Sequence, residues 1–471
     1  MCRSLDIPAN LDLDKLLGEH PFNKPNNATK DKIAFICNTI YYLMREQKKK
    51  LAKQNGYIYV QSKIIKQYIP DYHKYIKYLL AANVIMCNKT YRNNYYSKGY
   101  KFSDYYPIGT QKHTIRSCKF AQHIDTCYII HEHNEKKRLN KASHLQIWFN
   151  ENLHFDKKKA KRWIHDSYVS YLHAIEDANI GCKEYDDAIE KVNARHRKYT
   201  KAVYNFELNK LNYNYSIDKI GLRYQTILVH MNKRLRNFIK YNGERLVEFD
   251  NKTSQPYFSL LIFQPRFYFT RESKDALTLK KLHPVLYKRL KEDGSLIQLQ
   301  KIARDVNKST STVSDVKSYQ EDILKKDFYQ VIADFIPGTQ SREIGKDQIF
   351  SLLFEDWDNV NYGTPYIKAF RKKYPTVFKV FSILKRRKHN EFAGLLQRIE
   401  SEVMYRTTRA FCDMYPNAPI YTIHDNYITT VSYKQHLREL LATELEKWTG
   451  YKPKLSETNW KPENAKIEIE I

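Results

Sequence analysis

The run Pro419-Ile-Tyr-Thr-Ile-His-Asp425-Asn-Tyr-Ile-Thr-Thr-Val431 constrains this chain more than any other stretch. Two apolar, β-prone segments flank a short polar turn, the pattern of a β-hairpin with a carboxylate at its tip. A second run, Leu246-Val-Glu-Phe-Asp250, also ends at an aspartate; Asn-Lys-Thr-Ser-Gln-Pro256 then turns the chain into a helix-like stretch, Tyr257–Ile262. The hairpin can lie beside this strand and bring Asp250 and Asp425 together at a surface cleft. Read singly, each segment is ordinary. Asp250 serves equally well as a helix cap or an Asx-turn, and 419–431 as a surface hairpin.

Charge says what such a cleft would face. Eighty Lys plus Arg against 52 Asp plus Glu leave a formal net charge of +28, a balance that favours polyanionic partners through counterion release and long-range steering. The 38 Tyr and 22 Phe offer stacking surfaces for unpaired bases. An AT-rich coding sequence also enriches Lys, Asn, Ile and Tyr, but it accounts less easily for the low acidic count. No window approaches eighteen consecutive apolar residues and the first ten lack a signal-peptide pattern, so we expect a cytoplasmic protein with no membrane partner. The 7 cysteines, odd in number and scattered, suit reduced thiols.

With 471 residues the chain has room for two or three domains. Residues 31–53 read as a basic helix, followed by a strand-like Tyr57–Val60, helical stretches at Ser62–Tyr68 and His73–Ala82, and two strands, Val84–Cys87 and Gly99–Phe102. That is the order of a winged helix, its wing carrying Lys89, Arg92 and Lys98. Residues 111–140 gather His113, Cys118, His123, Cys127, His131 and His133. The density invites a zinc reading, but no C-x-x-C pair occurs, and surface histidines with core cysteines are the default. From 141 to 215 the pattern is helical and basic, as in Lys157-Lys-Lys-Ala-Lys-Arg162 and Arg195-His-Arg-Lys198. Such runs are usually solvated faces, but they can track a phosphate backbone. We therefore expect a winged-helix-like domain over 1–110, a basic helical region over 111–215 and a third domain over 216–471.

Nucleotidyl transfer needs two carboxylates from different strands to hold two divalent ions, and cations on a rigid element to hold a triphosphate. Arg342-Glu-Ile-Gly-Lys346-Asp-Gln-Ile-Phe350-Ser-Leu-Leu-Phe354 supplies the second need. Arg342, Lys346, Phe350 and Phe354 recur every four residues, so a helix projects them along one slowly drifting face. Two cations followed by two aromatics suit a nucleotide. Alone, the stretch would read as an amphipathic helix with one basic and one apolar end.

Together, in this order, the three segments resemble motifs A, B and C of the family A (DNA polymerase I type) DNA polymerases and the phage-type single-subunit RNA polymerases. Arg342, Lys346, Phe350 and Phe354 match the R-x-x-x-K-x-x-x-F-x-x-x-Y helix, with Phe in place of the final Tyr. His424-Asp425 matches the His-Asp of motif C, and Gln397 followed five residues later by Glu402 is similar to the Q-x-x-x-x-D segment. The resemblance spans about residues 220–435. Ser254-Gln255 follow their aspartate with two extra residues, Glu355 replaces a Gly, and Asn426 stands where the DNA enzymes carry Glu. The steric-gate position therefore stays open. No D-x-E pair precedes residue 220, so a proofreading exonuclease is not evident.

The resemblance implies an α+β architecture with a right-hand palm and fingers, a helical thumb-like region over 141–215 and the winged-helix-like domain in front. It implies a template-directed polymerase, DNA synthesis favoured over RNA synthesis and untemplated terminal addition left open, acting on a primer-template and nucleoside triphosphates. Asp250 and Asp425 would bind two Mg²⁺ (or Mn²⁺), Arg342 and Lys346 the triphosphate, and Phe350 with Phe354 the nucleotide. His424 and Gln397 would contact the primer terminus, Arg234 and Arg236 the template backbone. The insert Ile302–Ser314 also reads as a helix-turn-helix segment, more readily taken as a local helix pair. The competing reading is a non-catalytic winged-helix DNA-binding protein, a replication initiator or repressor. Primer extension separates the two.

Overall fold

The computed structural model describes residues 4–46, 55–60, 62–88, 98–106, 109–178, 181–211, 213, 215–269, 275–308, 314–338, 341–355, 364–386 and 388–467. Packing divides the chain into two compact units, 1–136 and 137–471, each mixing helix with sheet. Among the described residues no helix is long and apolar enough to cross a membrane.

The first unit runs β1 (Ser4–Pro8), α1 (Leu13–Glu19), α2 (Asn27–Glu46), β2 (Ile58–Tyr59), α3 (Ser62–Tyr68), α4 (Tyr72–Ala81), β3 (Ile85–Cys87), β4 (Gly99–Phe102), β5 (Thr110–Thr114) and α5 (Cys118–Leu139). β2, β4 and β3 form a three-stranded sheet in that order, while β1 pairs with β5. Ile33, Ile36 and Ile40 on α2 meet Ile65, Ile76 and Leu79 in one apolar core. Asp31 is buried and accepts from the Ser117 amide at 2.6 Å and the Arg116 amide at 3.0 Å, with His113 Nε2 2.8 Å away. His123 Nε2 lies 3.7 Å from the Cys127 thiol and His131 pairs with Glu135. His113, at least, is engaged by a carboxylate rather than gathered with the others. Lys89 and Arg92, expected on the wing, lie outside the described residues; Lys98 is exposed.

The second unit runs β6 (Leu153–Phe155), α6 (Lys157–Asp177), α7 (Cys182–Asn209), β7 (Ser216–Ile217), β8 (Tyr224–Gln225), β9 (Ile239–Tyr241), β10 (Glu244–Asn251), α8 (Ser254–Ser259), α9 (Phe328–Ala333), α10 (Arg342–Phe354), α11 (His389–Met414), β11 (Tyr421–Ile423), β12 (Asn426–Thr430), α12 (Lys434–Thr449) and β13 (Leu455–Asn459). Further helices lie between α8 and α11, among them Ser295–Val306 and Ser314–Lys325. The expected boundaries at 110 and 215 do not coincide with the packing, which divides the chain once. At 215 the reason is β6, a strand inside the stretch expected to be helical; at 110 it is β5, which pairs with β1, and α5, whose Phe120 and Ile124 join the first core. β6 pairs with β9 and ties α6 and α7 to the sheet of the second unit. Of the insert 302–314, residues 302–306 close one helix and Ser314 opens the next, while 309–313 fall outside the described residues.

β10 organises the sheet, whose strand order is β11-β12-β10-β9-β6 with β13 also on β10. Val247 and Phe249 point from one face of β10 and are fully buried, each stabilising the fold by roughly 1.5–3 kcal/mol through apolar burial. Glu248 and Asp250 share the other face, by the two-residue period of a strand. The antiparallel ladder sets Asp250 opposite Asn426. The β11–β12 turn needs only His424 and Asp425, because Ile423 pairs with Asn426. His424 takes the left-handed conformation there, with φ 57°.

Candidate active site

Register brings the two aspartates to one place. Asp425 is the residue before Asp250's ladder partner, so both carboxylates reach the same end of the sheet. They line one cleft of about 750 Å³ with Glu248, Lys233, Arg223 and Gln255. Arg342, Lys346, Phe350 and Phe354 of α10 and Gln397 of α11 line the same cleft. Among the described residues neither Asp250 nor Asp425 has a hydrogen-bond or ion-pair partner for its carboxylate. Asp250 is pushed up to about 6, first by burial, then by the facing charges of Asp425 and Glu248; Lys233 and Lys346 oppose the shift. Burial and the two facing acids outweigh the opposing lysines, so ionising Asp250 carries an electrostatic cost in this cleft.

α10 reaches the cleft because Gly345 lets it lie against α9. A Cβ at Gly345 would collide with the Tyr329 carbonyl oxygen and come within 2.9 Å of the Ala333 amide nitrogen. With Gly345, Ile349, Leu352 and Leu353 buried, Lys346 lies on the flank of that buried arc, about 75° round the helix from its centre. Lys346 is exposed and sits 5.8 Å from the Phe350 ring centroid. Phe350 and Phe354 stack with centroids 5.5 Å apart and planes at 15°. Arg342 is engaged: its Nε donates to Asp327 at 2.8 Å and its guanidinium lies 4.9 Å over the Tyr329 ring.

The remaining candidates are placed less uniformly. His424 stands exposed in its turn and does not wall the cleft; desolvation and the Arg223 guanidinium hold its imidazole below the ordinary value. Gln397 packs against Gly221, where a Cβ would come within 2.7 Å of the Gln397 Cβ. Arg234 lies in a neighbouring groove with Asn237, Trp460 and Lys466. Arg236 is half-buried, its Nε enclosed and without a hydrogen-bond partner among the described residues. Burial lowers its pKa, against the attraction of Glu248. Of the short helix Lys233–Arg236, it is Lys233 that lines the cleft.

Several cleft residues were not singled out from the sequence. Glu400 is 2% exposed and accepts from Arg223 Nε at 2.8 Å and from Gln255 Nε2. Burial and the Asp425 charge push it up to about 8, with Arg223 opposing. Glu402, the acid expected from the spacing after Gln397, turns away and pairs with Lys141 at 3.3 Å and Arg406 at 3.0 Å. Helical geometry explains the exchange: three residues from Gln397 return to within about 60° of its direction, five to about 140°. Glu248 accepts from Asn426 and from the Trp460 indole at 2.6 Å. Its signal was present, since a carboxylate two residues before Asp250 shares its face.

Among the described residues no group of three or more His, Cys, Asp or Glu side chains is arranged to hold a metal ion. The donor set here is instead a pair of carboxylates, with the buried side-chain oxygens of Asn251 and Gln255 nearby lacking hydrogen-bond partners among the described residues. Hard oxygen donors of this kind fit magnesium. A second groove of about 550 Å³ is lined by Lys198, Lys201, Asn205, Asn209, Tyr213 and His230, with no acid among the described residues that line it. Its His230 is near enough to act on the charge of His424.

No family model matches the chain, and no curated protein matches it. Among solved structures it is similar to the POL domain of Pol1 from M. smegmatis in complex with DNA primer-template and dNTP, at 9% sequence identity, with 73% of this chain and 74% of that chain covered and a TM-score of 0.39.

Proposed function

We propose that the second unit is a template-directed nucleic-acid polymerase that extends a 3′-hydroxyl with nucleoside triphosphates. One observation carries the reading: Asp250 near the end of β10 and Asp425 in the β11–β12 turn, both without a carboxylate partner among the described residues, share a cleft with Lys346, Arg342 and Phe350. The β6–β13 sheet is then the palm, α9 and α10 belong to the fingers, and α6 and α7 form a thumb-like region. The expected division at 110 and 215 becomes a division of roles within the two packed units.

Magnesium ions held by Asp250 and Asp425, with manganese as a substitute, would supply activation of the 3′-hydroxyl and neutralisation of the leaving pyrophosphate. Lys346 binds the triphosphate and neutralises charge as it builds on the leaving group. Arg342 contributes after exchanging Asp327 for phosphate, an exchange of one charge-assisted hydrogen bond for another. Phe350, backed by Phe354, offers a flat apolar face to base and sugar. The 3′-oxygen attacks the α-phosphorus, the α–β phosphoanhydride bond breaks, and the hydroxyl proton passes to solvent. Gln397 and Arg223 flank the primer terminus, and the acid-free groove beside α7 carries the nucleic acid away from the cleft.

Purified protein with primer-template, Mg²⁺ and labelled nucleotides should lengthen the primer. Absence of extension with both deoxy- and ribonucleotides, alongside intact DNA binding, would leave the non-catalytic DNA-binding reading in its place.

A further inference from the structure

We propose that the first unit carries a separate site for double-stranded DNA, formed by the solvent face of α4 and seated in the major groove. The order α2, β2, α3, α4, β3, β4, with the strands arranged β2-β4-β3, is that of a winged helix. In such modules the second helix of the helix-turn-helix pair is the one free to enter a groove. Fold alone does not assign that role, since the same arrangement also docks proteins. The charge on α4 decides it here.

At 100° per residue, Tyr72, Tyr75, Ile76 and Leu79 occupy one arc of α4 and are buried. His73, Lys74, Lys77 and Leu80 occupy the opposite arc and are exposed. The helix contains no acid. The one carboxylate at its start, Asp71, lies 3.4 Å from Lys32 and 3.9 Å from Lys74, so it is already shared. On one flank Phe22 closes over Tyr75 and Tyr78, with ring centroids 5.3 and 5.1 Å apart, which leaves the cationic arc as the open surface. Lys66 and Gln67 on α3 and Lys98 before β4 are also exposed. These residues could reach phosphates on either side of a groove.

Size agrees with charge. Ten residues make a helix about 15 Å long, and a B-form major groove about 12 Å wide admits one helix. The deep, narrow major groove of A-form RNA does not. The site therefore takes duplex DNA rather than duplex RNA, with Lys74 and Lys77 on phosphates or guanine edges. A protein partner would instead find few apolar anchors, Leu80 being the only large apolar side chain exposed on α4. This inference is independent of the polymerase reading.

The test uses the full chain and a DNA dumbbell of about two helical turns, closed at both ends, so that it offers no 3′-hydroxyl to the cleft. Wild-type protein should bind it with an affinity that falls steeply with salt. Lys74→Glu/Lys77→Glu should weaken binding at least about tenfold and reduce the slope of log K against log salt by about 2. Lys119→Glu, on an exposed turn of α5 in the same unit, should change neither by more than about twofold, and an RNA dumbbell of the same sequence should bind at least about tenfold more weakly. If far-UV circular dichroism shows that the double reversal unfolds, Lys74→Gln/Lys77→Gln carries the test with an expected slope change in the same direction. Equal binding by wild type and folded variant overturns the proposal, as does equal affinity for the RNA dumbbell. A wild-type chain that leaves the DNA dumbbell unbound at low salt also overturns it and gives the face to a protein partner.

Discussion

Glu400 meets Arg223 inside the wall of the cleft, with guanidinium Nη2 2.7 Å from the carboxylate. Gln255 holds the other oxygen, and the Asp425 charge acts on the pair from the cleft side. The loop that delivers Arg223 is itself clamped onto α11: Ser401 Oγ donates to the Gly221 carbonyl at 2.8 Å and Tyr405 Oη to the Leu222 carbonyl at 2.8 Å. A buried acid thus fixes a cation, two helices and a loop around the aspartates, without itself facing open water.

That arrangement has a pH signature. Burial and Asp425 raise Glu400 from its ordinary 4.5 to about 8. A carboxyl whose pKa is raised on folding contributes stability that is fully present below its unfolded value and is lost as pH rises through the folded one. Glu400→Gln should therefore melt with a weaker fall in Tm between pH 5 and 9 than the wild type. Parallel Tm–pH curves for the two proteins would remove Glu400 as the group responsible.

Asp250 should separate function from stability. Asp250→Asn and Asp425→Asn are each expected to cut nucleotide incorporation by at least about 10², with DNA affinity largely kept. Asp250 titrates near 6 because it is buried against Asp425 and Glu248. Its ionised form therefore opposes folding above that pH and not below the ordinary 3.8. In metal-free buffer at pH 8, Asp250→Asn should melt higher than wild type, with the difference vanishing near pH 4. An inactive variant that is also less stable at pH 8 would indicate a structural aspartate.

What the sequence made legible was local and periodic. β10, α10 and the 421–430 hairpin each announce themselves by spacing within a dozen residues, and all three fall where their periods put them. The residues that escaped notice depend on distant partners. Glu400 matters because Arg223 and Gln255 reach it from 177 and 145 positions away. β6 is a three-residue strand whose only signal is its pairing with β9. Arg236, expected on the template backbone, has its Nε turned inward by the fold. The Asp327 carboxylate on Arg342 is likewise a tertiary contact across fifteen positions.

Substitutions along α10 should differ in kind. Lys346→Ala is expected to raise the nucleotide KM and lower kcat together, because the lost charge serves both ground state and transition state. Phe350→Ala should act mainly on KM, by roughly 1–3 kcal/mol from lost stacking. Glu343 and Asp347, both exposed and about 100° further round the helix, should tolerate alanine with less than a twofold change. Steady-state kinetics on a fixed primer-template reads all four, and an Asp347→Ala defect as large as that of Lys346→Ala would reassign the face.

Gly345 gives the sharpest test of how α10 is placed. A methyl group there meets backbone on both sides, the Tyr329 carbonyl oxygen and the Ala333 amide nitrogen, so no side chain can swing away to make room. Helix propensity favours alanine over glycine by up to about 1 kcal/mol, and overpacking a close contact costs about 1–3 kcal/mol; the second term should win. Gly345→Ala should lower Tm and move α10 off α9, carrying Lys346 and Phe350 away from Asp250. The kinetic mark is a raised nucleotide KM with DNA affinity unchanged, because the cations of α4 and α7 are untouched. Gly221→Ala provides the contrast, since its added methyl meets the Gln397 side chain instead of backbone. It should disturb primer positioning more than nucleotide KM. If Gly345→Ala stabilises the protein and leaves KM unchanged, α10 does not depend on that contact, and the placement of Lys346 in the cleft of the aspartates must have another cause.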